Sequence, residues 1–168
     1  IAVPRQPRPL VDPRPEVMCE DGLRLAGETG HVAHLPLASR LLGSTSGGLG
    51  RSAAWCAVML GDRGIGLEAA LHHCDAGRPP RHELAAALCA AGLDQAMSAA
   101  RRAFQHEDAR RSSVVMAAFI GSSQPIPWLL ELMADPALAR LAGESFAMIT
   151  GADLAWLDLD RKPPENFA

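Results

Sequence analysis

His82 and Glu83 open the stretch RHELAAALCAAG, and an imidazole and a carboxylate are each groups able to bind a metal ion. It is the sharpest chemical signal in the chain. His72, His73 and Cys74 also carry metal-binding atoms, but consecutive residues on a helix point in different directions, so the three do not converge on one ion. One imidazole is expected in the core and one in solvent, with Cys74 acting as a small hydrophobe near a helix end. Cys56 and Cys89 lie among apolar neighbours, which predicts buried and inert thiols. Cys19, Cys56, Cys74 and Cys89 form no C-x-x-C pair, and reduced thiols in a cytoplasmic protein are expected. The Gly-rich GSTSGGLG of residues 43–50 lacks the Lys and the preceding strand of a phosphate cradle, and no G-x-S-x-G elbow occurs. Asp153, Asp158 and Asp160 lack the Gly and terminal Glu of a calcium loop and read as a solvated acidic tail. No catalytic set and no cofactor are expected.

The elements that would position such residues follow from the glycines at 30, 61, 92, 121 and 151, spaced by 31, 31, 29 and 30 residues. Each closes a mostly apolar stretch: EDGLRLAGETG, RSAAWCAVMLG, HELAAALCAAG, RSSVVMAAFIG and LAGESFAMITG. A near-constant period of this length signals a repeat. Ala26, Ala57, Leu88, Ala117 and Ala147 stand four residues before the glycines, and all but Leu88 are small enough to let helices approach closely. The glycine itself predicts a left-handed stop. After the first four glycines a second apolar pattern at helical spacing begins, carrying Leu35 and Ala38, Leu67 and Ala70, Met97 and Phe104, and Ile126 and Leu129. STSGG, DAGRPP, QHEDA and ADP separate the resulting helical hairpins. The competing architecture is a plain helical bundle.

RSAAWCAVMLG, RSSVVMAAFIG and the hairpin ending ADPALAR resemble HEAT-like repeats of the short, thirty-residue kind, over residues 18–151. The fold expected from this is an all-α solenoid of four to five HEAT-like hairpins. Its parts are a Pro-rich irregular segment over 1–16, a repeat domain over 17–151 and an acidic tail over 152–168. Residues 127–160 also resemble the carboxy-terminal part of an uncharacterised bacterial family often encoded near type VI secretion genes. His82-Glu83 is similar to the His-Glu motif of deoxyhypusine hydroxylase, a di-iron HEAT-like enzyme. That family uses several such pairs, whereas the matching positions here hold Glu20-Asp21, Arg51-Ser52, Arg111-Ser112 and Leu141-Ala142. The competing role of Glu83 is to favour the positive end of a helix. In HEAT-like stacks the second helices line the concave face. The resemblance therefore makes Arg40, Arg101 and Arg102 a candidate contact ridge, and Trp128 and Trp156 are candidate anchors for a partner. The competing reading has the Arg stems covering apolar helix surface, and Trp128 and Trp156 packing in the core.

The chain of 168 residues suits one domain, and its 48% apolar but only 4% aromatic content requires a core of Ala, Leu, Val and Met. A net charge of −3 argues against general nucleic-acid binding, leaving a HEAT-like nucleic-acid reader as an alternative carried by the Arg ridge alone. The longest uncharged run, Ser112 to Leu130, is broken by Gly121, Pro125 and Pro127, so no membrane insertion is expected. The opening IAVPRQPRPLVDPRP lacks the apolar core of a signal peptide, and the start at Ile1 without Met reads as a fragment or a processed chain. The function expected is a HEAT-like scaffold for a protein partner, with a metal-dependent hydroxylase using His82 and Glu83 as the enzymatic alternative.

Overall fold

Alanine-rich stretches that end at glycine or break at proline leave little choice but short helices, and the computed structural model is built of them. It describes residues 19–45, 48–75 and 79–159. The Pro-rich segment, parts of the STSGG and DAGRPP connectors and the end of the acidic tail lie outside the described residues. Among the described residues there is no strand, and the α-helices run in the order α1 (Glu20–Thr29), α2 (Leu35–Leu41), α3 (Leu49–Met59), α4 (Ile65–Asp75), α5 (Arg81–Ala90), α6 (Leu93–Gln105), α7 (Arg110–Ile120), α8 (Ile126–Leu132) and α9 (Ala139–Thr150). None is long and apolar enough to cross a membrane.

Helix ends explain most of the glycine period. At Gly30 the backbone turns left-handed with φ of 69°, and His31 N–H reaches the Ala26 carbonyl at 3.2 Å while Gly30 N–H reaches Gly27 at 3.3 Å. These bonds satisfy carbonyls that the end of α1 would otherwise leave orphaned. Gly61, Gly121 and Gly151 also have positive φ. Gly92 departs from the expectation: its φ of −68° and ψ of 156° are extended, and it is the N-cap of α6 rather than the left-handed stop of α5. Only Ala91 and Gly92 separate the two helices, so the residue after α5 has to start the next helix.

The described chain gathers into two compact units, one holding α1, α2, α3, most of α4 and α5, the other holding α6 to α9. In the first, α3 is the central element. It packs against α1, α2 and α5, with Leu23, Ala26, Leu37, Ala38, Ala53 and Cys56 buried among them. α1 comes so close that a Cβ on Gly27 would sit 2.8 Å from Cζ3 of Trp55. α4 is held by Asp62, whose carboxylate accepts from Gly64 N–H at 2.7 Å and Gly66 N–H at 3.0 Å. A Cβ on Gly66 would stand 2.7 Å from that of Ala57 on α3. Removing a cap of this kind costs about 1 kcal/mol.

In the second unit α7 is central. α6 and α9 pack on it, α8 packs on α9, and Val114, Ala117, Leu129 and Ala142 form the buried centre. The buried hydroxyl of Ser145 on α9 donates to the Val114 carbonyl at 2.9 Å, and the Arg111 guanidinium donates to the Ala137 carbonyl at 2.6 Å. The same two pairings recur in both units. A second helix packs on the next first helix (α2 with α3, α6 with α7, α8 with α9), and first helices pack on one another (α1 with α3, α3 with α5, α7 with α9).

Candidate functional site

α6 is the most sharply two-faced helix of the second unit. Ala96, Met97, Ala99, Ala100 and Ala103 are buried, whereas Arg101, Arg102 and Gln105 are exposed. Asp94 in its first turn and Arg102 in its last match the helix dipole. Met97, Arg101 and Phe104 follow one another at spacings of four and three, which puts them on one side of the helix. Opposite that side, α7 contributes Ala117 and Ile120. The following turn supplies Gln124 and Pro125, and α8 supplies Trp128. Pro127 in the first turn of α8 costs no hydrogen bond there, because the first N–H groups of a helix have no intrahelical partner.

Together these side chains line an open groove of about 350 Å³. Its floor is aromatic: Phe104 meets Trp128 edge to face, with ring centroids 4.9 Å apart. The back of Trp128 rests on the core formed by Val114, Ala117, Leu129 and Ala142. The Arg110 guanidinium lies 5.2 Å from the Phe104 ring centroid, and Arg101 lines the groove directly. No carboxylate lines it among the described residues, and Arg101 is the one charged side chain of its lining.

The structure thus brings together two of the residues singled out in the sequence, Arg101 and Trp128. Arg102 is exposed on α6 but does not line the groove. Arg40 belongs to the first unit, exposed in the last turn of α2 with its Nε 3.4 Å from the Pro36 carbonyl. Sequence reasoning took Met97 and Phe104 only as apolar helix positions, and it missed Arg110 beside Phe104. The available signal was Phe104 itself, a rare aromatic three residues beyond Arg101 on an otherwise alanine-rich helix. Trp156, for which core packing was the competing expectation, is 82% exposed. It stands in the single turn that follows α9.

His82 and Glu83 lie in a second polar cluster, between α3 and α5. The Glu83 carboxylate is 2.8 Å from Arg51 Nε, in ion-pair contact without the alignment of a hydrogen bond. The His82 ring stands edge-on to Trp55 at 5.6 Å, and the buried Trp55 indole N–H has no hydrogen-bond partner among the described residues. Glu83 is in the first turn of α5, as its helix-end role anticipated, but Arg51 is its main companion. Among the described residues no group of three or more His, Cys, Asp or Glu side chains is placed to hold a metal ion.

Cys56 and Cys74 are buried, and burial pushes the Cys56 thiol up to about 11, with a backbone hydrogen bond at Gly27 working against it. Cys89 is exposed, contrary to the expected inert core thiol. It sits one position past Leu88, so the rotation of the helix carries it off the buried face. His72 is exposed and His73 half-buried. Comparison with protein-family models, with curated proteins and with solved structures finds no match for this chain.

Proposed function

We propose that the chain is a HEAT-like repeat scaffold that binds a polypeptide partner in the groove between α6, α7 and α8. The observation that carries this reading is the aromatic floor of Phe104 and Trp128 with Arg101 beside it, in an open groove of about 350 Å³. Trp and Arg are the side chains that most often dominate binding energy, because each combines a large contact area with directional polar groups. The groove's chemistry selects a segment that offers apolar side chains next to carboxylates.

Placing the helices in an α-solenoid of four to five hairpins belongs to the same proposal, supported by the glycine period and by the two helix pairings that recur in each unit. The resemblance of residues 127–160 to a family encoded near type VI secretion genes suggests that setting as the place to seek the partner. The metal-dependent hydroxylase alternative gains nothing from the α3–α5 cluster, where Arg51 brings a positive charge to the carboxylate a metal would need.

A photo-cross-linking residue at Gln105, at the edge of the groove, tests the reading in cells. The expected result is a discrete adduct to an acidic, apolar polypeptide that disappears when Arg101→Glu is added, with the melting temperature unchanged. An adduct indifferent to Arg101→Glu and to Trp128→Ala, or no adduct at all, overturns it.

A further inference from the structure

We infer that the segment occupying the groove is the turn Leu154 to Leu159 of a second copy of this chain; the inference rests on the groove being a binding site. Three of the ten large apolar side chains exposed among the described residues, Trp156, Leu157 and Leu159, fall within four consecutive positions. Trp156 is 82% and Leu159 65% exposed. Apolar side chains gathered in this way mark a contact surface far more strongly than the same residues scattered singly.

The turn is organised before it meets anything. Asp153 Oδ1 accepts from Trp156 N–H at 3.1 Å at its start. At its end Leu159 N–H reaches the Leu154 carbonyl at 2.9 Å and Asp158 N–H reaches Ala155 at 3.1 Å. This pair of bonds is the pattern that ends helices around a left-handed residue, here Asp158 with φ of 55°. A preformed turn loses little conformational freedom on docking.

Its chemistry is the complement of the groove. Residues 152–159 carry Asp153 and Asp158 and no cation, whereas among the described residues the groove is lined by Arg101 and by no acid. The indole of Trp156 matches the apolar floor of Met97, Phe104 and Trp128, and Asp158, two positions on, supplies the carboxylate for the Arg101 guanidinium. Because groove and turn are different surfaces, the contact is head to tail, each copy lending its turn to one neighbour and its groove to another.

Sedimentation velocity of the whole chain over a concentration series tests this directly. The wild type is expected to associate with rising concentration, and Trp156→Ala and Arg101→Glu are each expected to weaken association ~30-fold or more. Mixing the two variants is the decisive measurement. Arg101→Glu keeps a working turn and Trp156→Ala a working groove, so the mixture forms a one-to-one pair and stops there. A wild type that stays monomeric overturns the inference, as does a mixture that does not pair. If the Gln105 adduct to another polypeptide still forms and still needs Arg101, the groove reading stands and only the occupant was wrong. If no adduct forms either, both fall.

Discussion

The planes of the Phe104 and Trp128 rings cross at 87°, so the edge of one ring is directed at the face of the other. Through this contact α6 and α8 share one aromatic floor although neither is the other's main packing partner. Arg110 on α7 adds its guanidinium to Phe104, so three helices meet at one ring.

A double-mutant cycle measures that junction. Phe104→Leu and Trp128→Leu are each expected to lower stability in urea unfolding, with a coupling of about 0.5–1.5 kcal/mol between them. Additive losses would show that the rings stabilise their helices independently.

Gly27 is where α1 meets α3. A methyl at this position would press on Trp55, which is only 7% exposed and has no room to swing away. Overpacking of this kind costs about 1–3 kcal/mol, against up to about 1 kcal/mol gained from replacing glycine within a helix. Gly27→Ala is therefore expected to lower the urea midpoint, and a raised midpoint would contradict the close approach.

The thiols divide by exposure. Cys19 and Cys89 are exposed while Cys56 and Cys74 are buried. At neutral pH a thiol reagent is expected to titrate Cys19 and Cys89 quickly in the native protein and all four cysteines after denaturation. Fast native labelling of Cys56, identified by mass spectrometry of the peptides, would contradict its burial.

His73 gives the fold a pH dependence. Burial first, then the charges of His72 and Arg51, hold its pKa below the ordinary 6.5. The unfolded chain therefore binds more protons at this position, and the stability it contributes is complete above pH 6.5 and lost as the pH falls below that value. Unfolding midpoints at about pH 8 and about pH 5 are expected to differ less in His73→Gln than in the wild type. An unchanged difference would place the pH dependence elsewhere.

Helix ends were legible in the sequence because they are local events. Gly30, Gly61, Gly121 and Gly151 take the left-handed backbone that glycine adopts at least cost, and an alanine-rich stretch before each one has few alternatives to a helix. Gly92 was misread because its period is the same while its neighbour differs: α6 begins at once, and glycine serves equally at a helix start.

What the sequence alone determined is helices joined at a near-thirty-residue period, with Arg40, Arg101, Arg102 and Trp128 standing only as contact candidates. Only the tertiary structure decided that Arg101 and Trp128 share a groove, that Arg40 belongs to another unit, and that Arg51 meets Glu83. It also decided that Trp156 is exposed while Trp55, with the identical side chain, is buried. Composition and spacing describe one helix at a time. Which faces meet depends on packing between elements distant in the chain, where α3 and α7 each gather several neighbours.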